Sequence, residues 1–265
     1  MKFREIFRFE FLYQARRVRT WLYFAVLFAV AYLLMRTAGA GDGVVNSPYA
    51  IAQQTVLTCV LWILMAPAVA GSAAARDAQT RMHPLIYTAP IGKADYLGGR
   101  FLAALVLNAL ILLAVPLGIL AALYLPGREP EIVGPLRPAV YLSSYGVLLL
   151  PTAFTFTAVQ FSLAALKRRA IVSYLGSVLF FVTVSIGAGL VTNVLQMPTL
   201  GKLLDPTCRV TVLNVMPDTL TPLQMNTVLI GLESSILANR LLWIGLALAI
   251  LVFTHVRFRL GHRAA

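Results

Sequence analysis

The chain has 265 residues, of which 59% are hydrophobic and 12% are charged, and its formal net charge is +12. A charge of that size can indicate a nucleic-acid-binding protein, but the scarcity of charged residues makes membrane association the better explanation. We therefore expect a lipid bilayer, and no nucleic acid, as the partner that accounts for the basic composition.

The first predicted element is an amphipathic helix within residues 1–19. Apolar and charged side chains fall on opposite faces at the helical period, so we expect it to lie in the membrane interface. Glu10 and Gln14 interrupt the apolar face four residues apart. Either they contact water and lipid headgroups, or they make a polar contact with the end of another helix. The apolar face comprises Phe3, Ile6, Phe7, Phe11 and Tyr13, and the charged face comprises Arg4, Glu5, Arg8 and Arg16.

Six apolar stretches follow, and a helix needs roughly 20 such residues to cross a bilayer. None of these stretches contains Asp, Glu, Lys or Arg. The first and last have only 16 residues, so Arg36 and Arg240 at their ends are expected to extend toward the interface. The sequence thus predicts an all-α polytopic membrane protein with a six-helix transmembrane domain over residues 20–258. The stretches are 20–35, 49–70, 101–125, 139–166, 170–194 and 241–256.

The lysines and arginines outside these stretches are distributed unevenly. Sixteen of the 22 lie in the terminal segments and in the gaps after the second and fourth stretches, and six lie in the other gaps. Because basic residues favour the cytoplasmic side, both termini, including the tail 259–265, are expected to be cytoplasmic. With the acidic residues included, the whole net charge of +12 falls on that side.

Residues 72–100 are the only extended cytoplasmic segment predicted between two spans, and we expect them to form an elbow-shaped loop. A helix continuing through Met82 is expected to end near Pro84. The polar residues of the segment could form a local cluster at i,i+3 and i,i+4 spacing, which either holds the elbow in shape or docks a soluble partner. These residues are Arg76, Asp77, Thr80 and Arg81.

The segments on the other side of the membrane differ in length and character. The proline- and glycine-rich loop 126–138 is expected to be irregular and merely connective. Residues 195–239 contain apolar stretches too short or too polar to span, and one or two short helices are expected to cap the bundle there. Thr221 followed by Pro222 is a typical helix start, with the threonine as the N-cap.

The sequence lacks the residue sets of a membrane-embedded enzyme or an ion-coupled carrier. The predicted spans hold no acid, lysine or arginine, and the chain has neither an HExxH zinc motif nor a GxxxxGK[ST] phosphate loop. Cys59 and Cys208 are poorly placed to pair. We therefore expect no catalytic residue and no metal site, and the energy for any transport must come from elsewhere.

Three runs resemble permease subunits of ATP-binding-cassette transporters of the type-2 exporter class. They are RD at Arg76 and Asp77, YTAPIGKADYLGGRF from Tyr87 to Phe101, and ANRLLW from Ala238 to Trp243. The resemblance covers nearly the whole chain. Within this class, the chain is similar to the permease part of bacterial permease/aminopeptidase fusion proteins. No peptidase domain lies within these 265 residues, so we do not expect that activity of them.

The resemblance implies an exporter permease in the bacterial inner membrane that forms the substrate pathway as a homodimer or heterodimer with a second permease. A separate ATPase subunit would dock on the elbow and the first helix and would hold the ATP and magnesium, with no cofactor on this chain. The substrate is not indicated. The alternatives are a non-transporting membrane scaffold and an intramembrane enzyme. The residues expected to couple to the ATPase are Glu10, Arg76, Asp77, Thr80, Arg81 and Lys93.

Overall fold

The computed structural model describes residues 2–39, 44–82, 90–125, 133–232 and 234–259. Within these residues the regular structure is entirely helical, and six helices are long and apolar enough to cross a membrane. The prediction of an all-α polytopic membrane protein with six spans and a preceding amphipathic helix is therefore confirmed.

The helices follow one another with short connections. The first and last spans have 20 and 24 residues, longer than the 16 that the sequence indicated. In chain order the helices are α1 (Lys2–Ala15), α2 (Val18–Thr37), α3 (Pro48–Gln79), α4 (Lys93–Tyr124), α5 (Pro138–Lys167), α6 (Ile171–Asn193), α7 (Pro198–Leu204), α8 (Met216–Thr219), α9 (Pro222–Thr227) and α10 (Ser234–Arg257).

The centre of the bundle is formed by α3, α4 and α5. In the most apolar 18-residue stretch of each of these helices, between 56% and 72% is buried. The corresponding share is 17% to 22% for α2, α6 and α10. The latter three therefore present most of their surface outward, where lipid or another subunit covers it. Trp62 of α3 and Phe156 of α5 pack edge to face in the core, with ring centroids 6.2 Å apart.

Two close helix contacts depend on glycine. A Cβ atom on Gly118 of α4 would lie 2.5 Å from the carbonyl oxygen of Phe28 in α2, so only glycine permits this approach. At the other end of α4, a Cβ on Gly99 would lie 3.0 Å from the carbonyl oxygen of Phe3. Gly99 thus lets α1 pack directly across the start of α4.

Prolines interrupt three of the spans. The helix α3 is interrupted at Ala66, before Pro67. Pro67 has no N–H to donate to the Ile63 carbonyl four residues earlier. The side-chain amide of Gln160 in α5 donates to that carbonyl instead. The helix α4 is interrupted at Leu113, and α5 contains a π-helical turn, Ser144–Leu149, just before Pro151. The bundle therefore uses side chains of neighbouring helices to satisfy backbone carbonyls freed by proline.

The segment predicted as an elbow is helical at both ends, because residues 72–79 continue α3 and residues 93–100 begin α4. α3 ends at Gln79 rather than Met82, since the chain turns there through Arg81 at φ 57°. The Met82 amide donates to the Asp77 carbonyl, which is the bonding pattern of a Schellman termination. Pro84 lies outside the described residues.

The span helices extend beyond the predicted apolar stretches and include charged residues near their ends. Arg76 and Asp77 belong to α3, Arg100 to α4 and Arg240 to α10. Arg240 is only 3% exposed, so it does not extend to the interface as expected but points into the bundle. Arg36, in the last turn of α2, donates to the Ala122 carbonyl of α4 at 3.2 Å.

The end of the bundle opposite α1 is covered by the chain between α6 and α10. This stretch contains three short α-helices in the part that the structure describes, where one or two were expected, and a π-helical turn. The predicted start of α9 is confirmed, because the Thr221 hydroxyl accepts a hydrogen bond from the backbone N–H of Gln224 in a capping box. Cys59 and Cys208 are both buried and free. Most of the loop 126–138 lies outside the described residues.

Candidate functional site

The α1 end of the bundle holds a buried cluster of charged side chains, which we call the Glu10 cluster: Glu10, Arg76, Asp77, Tyr96 and Arg100. Glu10 lies on α1 and is 1% exposed. Its carboxylate receives two contacts from Arg76 of α3, one to Oε1 at 3.0 Å and one to Oε2 at 2.7 Å. Only the contact at Oε1 has hydrogen-bond geometry, and together with the ion pair at Oε2 it fixes α1 to the end of α3.

The second ion pair of the Glu10 cluster joins α3 to α4. Arg100 Nη2 lies 2.5 Å from Asp77 Oδ2, and the Tyr96 hydroxyl donates to the same oxygen at 3.0 Å. Arg100 also donates to the Ala73 carbonyl at 2.9 Å, and its Nε lies 4.0 Å from Glu10 Oε2. The cluster therefore ties α1, α3 and α4 together and contains equal numbers of positive and negative charges.

Gln14 extends this polar contact one turn further along α1. Its amide donates to Glu10 Oε1 and to the Val69 carbonyl, each at 3.1 Å, and its oxygen accepts from Ser72 at 3.0 Å. Of the two alternatives for Glu10 and Gln14, the polar contact with another helix is therefore confirmed. The buried residues of α1 are these two polar ones, so ionic and hydrogen-bonding contacts position it.

Burial raises the pKa of Glu10 above its ordinary value of 4.5, against the opposing effects of Arg100, Arg76 and the hydrogen bond from Gln14. The folded protein therefore holds a proton on this carboxyl more readily than the unfolded chain does. The free energy of unfolding should consequently fall as the pH rises from about 4.5 through the pKa of the folded state.

Glu10→Gln is expected to flatten this part of the pH dependence, because the amide cannot titrate. The measurement is thermal unfolding of the detergent-solubilised protein between pH 4.5 and about pH 8. Glu5→Gln, which removes an exposed carboxyl from the same helix, is the matched control and should leave the profile unchanged. An identical slope for Glu10→Gln and the unmodified protein would contradict the assignment.

A cavity of about 490 Å³ opens beside the Glu10 cluster. It lies between α1, the end of α3 and the beginning of α4, and its lining combines apolar side chains with the members of the cluster. Arg76 lies over the Tyr13 ring, 4.2 Å from its centroid, and closes one side of the cavity. The apolar part of the lining comprises Ile6, Phe9, Met82 and Ile91.

The six predicted coupling residues are not all brought together. Glu10, Arg76 and Asp77 belong to the Glu10 cluster, whereas Thr80 and Arg81 are exposed at the tip of α3. The expected local cluster reduces to a 3.7 Å contact between Arg76 and Asp77 and to a hydrogen bond from the Thr80 hydroxyl to the Arg76 carbonyl.

The sixth predicted residue, Lys93, lies at the start of α4. It donates to the Val256 carbonyl at 3.2 Å, so it caps the carboxyl end of α10. In the same region the Tyr96 ring stacks on Phe258, with ring centroids 6.0 Å apart. These contacts connect the last span to the Glu10 cluster.

Sequence reasoning missed Arg100 and Tyr96 as members of the site. Arg100 is the last residue of the predicted cytoplasmic segment 72–100, and it lies four residues after Tyr96 on the same helix face. That spacing was the available signal. Among the described residues, no group of three or more His, Cys, Asp and Glu side chains could hold a metal ion.

Comparison with protein-family models gives no match for this chain, and no similar curated protein is found.

Proposed function

We propose that this chain is the permease subunit of an ATP-binding-cassette exporter and couples to a separate ATPase subunit at the α1 end. The observation that carries the proposal is the Glu10 cluster, whose ion pairs join α1, α3 and α4. Contacts of Lys93 and Tyr96 extend the connection to the end of α10. A force applied to this end of the protein is therefore transmitted to the three spans α3, α4 and α10 together, which suits rigid tilting of helices.

The surface next to the cluster suits a protein partner. Thr80, Arg81 and Met82 are exposed at the tip of α3, beside the cavity of about 490 Å³. An apolar side chain of the ATPase could occupy this cavity while its acidic groups meet Arg81. Arg81 is one of four non-glycine residues with positive φ among the described residues, which holds its side chain at the turning point of the chain.

The charge distribution supports placing the α1 end in the cytoplasm of a bacterial cell, where an ATPase has its nucleotide. The tip of α3 and helix α1 both carry basic residues, as the cytoplasmic side of inner-membrane proteins does. The outward faces of α2, α6 and α10 leave room for a second permease, either a copy or a paralogue, with which the substrate pathway would be formed.

The experiment is affinity purification of the tagged chain from its native membrane in mild detergent, with identification of bound proteins and an ATP hydrolysis assay. We expect a stoichiometric ATPase that carries a phosphate loop. Recovery of the chain alone without hydrolysis would contradict the proposal.

The docking surface is tested by Arg81→Glu combined with Met82→Asp, both at exposed positions. Arg76 is unsuitable, because a glutamate there would face Glu10 inside the fold. We expect ATPase recovery to fall about fivefold or more, since reversing one exposed charge removes an attraction of up to ~1 kcal/mol and adds repulsion. Leu136→Asp with Arg137→Glu makes the same change at exposed positions of the opposite end and should leave recovery unchanged. Equal recovery with both double variants would refute docking at the α3 tip.

A further inference from the structure

The outward face of α1 carries a second concavity, which shares Phe9 and Tyr13 with the cavity beside the Glu10 cluster. It has a volume of about 430 Å³ and is lined by Phe9, Leu12, Tyr13, Arg16 and Arg17, which we call the Arg16–Arg17 groove. Positions 9, 12, 13 and 16 recur on one face of a helix, so the groove follows α1 and ends at the turn into α2. It combines an apolar floor with two guanidinium groups at one end.

Neither arginine of the groove forms an ion pair with an acidic side chain of the described residues. Arg17 lies 4.2 Å from the Tyr13 ring centroid and donates to the Tyr13 hydroxyl, while the Arg16 side chain has no hydrogen-bond partner among the described residues. The pKa of Arg17 is lowered first by burial and then by the positive charges of Arg19 and Arg76, against the opposing effect of Glu10. The groove thus has an excess of positive potential that an anion would relieve.

The position of the groove favours a lipid over a protein as the source of that anion. It meets the first turn of α2, where Val18, Trp21 and Leu22 are between 58% and 84% exposed. The indole of Trp21 donates to the Ala15 carbonyl at 2.9 Å, so its ring lies against the end of α1. Tryptophan prefers the headgroup level of a bilayer, and the apolar residues around it must face acyl chains. The groove therefore opens at headgroup depth toward the hydrocarbon.

We propose that the Arg16–Arg17 groove is a binding site for an anionic phospholipid. Arg16 and Arg17 hold the phosphodiester, and an acyl chain lies along Phe9 and Leu12 toward the exposed start of α2. Arginine suits the phosphate because its planar donors bind two oxygens at once, and aromatic and aliphatic side chains suit the lipid tail. The bound lipid would also touch Tyr13, whose ring contacts Arg17 and also Arg76 of the Glu10 cluster.

Trp21 is the reporter for the test. The protein is reconstituted in phosphatidylcholine vesicles that contain increasing fractions of dibrominated phosphatidylglycerol, and bromine quenching of tryptophan fluorescence is measured. Subtracting the fluorescence of the Trp21→Phe variant from that of the unmodified protein leaves the fluorescence of Trp21. The other two tryptophans, the buried Trp62 and Trp243, are present in both samples. We expect half-maximal quenching at a much lower mole fraction with dibrominated phosphatidylglycerol than with dibrominated phosphatidylcholine.

Arg16→Gln combined with Arg17→Gln is expected to raise the half-maximal fraction roughly 25-fold, about fivefold for each arginine near an anionic membrane surface. Arg4→Gln with Arg8→Gln removes the same charge from exposed positions of the same helix outside the groove, and we expect a shift of at most about fivefold. Equal shifts for the two double variants would show general attraction to a charged surface and overturn the proposal. The single variant Arg16→Gln should give an intermediate shift. It should not affect the fold, because the Arg16 side chain makes no hydrogen bond to the described residues.

Two further outcomes would assign the groove to another ligand. If millimolar inorganic phosphate abolishes the preference for phosphatidylglycerol, the site binds a soluble anion and the lipid proposal is wrong. If the double variant quenches as the unmodified protein does but loses its ATPase partner, the groove is a protein interface. Because the quenching assay needs no ATPase, its result is independent of the proposed transport function.

Discussion

Arg100→Met is expected to remove most of the folded protein from the membrane, because it leaves buried carboxylates without their partner. Asp77 is 4% exposed, and its carboxylate would keep only the Tyr96 hydroxyl and a 3.7 Å contact with Arg76. Arg76 would then face both Asp77 and Glu10. Breaking a buried ion pair by removing one partner costs about 3–5 kcal/mol, which is a large part of the stability of most proteins.

A double substitution separates charge imbalance from loss of packing. Asp77→Leu together with Arg100→Met removes one whole ion pair and leaves Glu10 paired with Arg76. Replacing a buried pair by apolar side chains is often neutral, so the double variant should recover most of the stability that Arg100→Met loses. The measurement is the yield of monodisperse protein in detergent and its apparent unfolding temperature. Additive losses in the double variant would contradict a role of the cluster as paired charges.

The sequence predicted the parts of this fold that depend on local patterns. The lengths of the apolar runs were sufficient to locate all six spans, because hydrocarbon thickness sets the length that a helix needs. The start of α9 followed from Thr221 and Pro222 alone, since capping involves only the first helical turn. Helix ends were less accurate, because the turn through Arg81 needs a left-handed backbone that its sequence does not indicate.

The candidate site was only partly predictable, because its polar contacts join residues far apart in the chain. Glu10 and Gln14 are recognisable as unusual, but Arg76 lies 66 residues after Glu10 and Val69 lies 55 residues after Gln14. The sequence predicts that Arg240 extends to the interface and places Arg100 at the end of a cytoplasmic segment, because a single sequence does not reveal which basic residue at a span end has buried acceptors nearby. Tertiary neighbours decide whether such a charge extends outward or inward.

At the end of the bundle opposite α1, the residue whose role the sequence did not reveal is Arg240. Its Nε donates to the Val147 carbonyl at 3.0 Å, and Nη2 donates to the Leu148 carbonyl at 3.1 Å, both in α5. Pro151 has no N–H to offer the Val147 carbonyl four residues earlier, so the guanidinium supplies the missing donor. Nη1 donates to the Pro206 carbonyl at 2.7 Å, which holds the chain between α6 and α10 against the bundle.

Arg240→Met is expected to destabilise the protein by about 3–5 kcal/mol, because three buried carbonyls lose a charged donor at once. Stability should be lost first in the segment that covers this end, so amide hydrogen exchange within Pro198–Leu204 and Thr211–Val215 should accelerate before exchange in α3 does. Arg240→Lys keeps the charge but cannot reach all the acceptors, and we expect an intermediate loss. Arg137→Met, at an exposed position of the same end, should cost less than about 1 kcal/mol. Uniform acceleration of exchange throughout the chain, or equal losses for Arg240→Met and Arg137→Met, would show that Arg240 does not hold this segment in place.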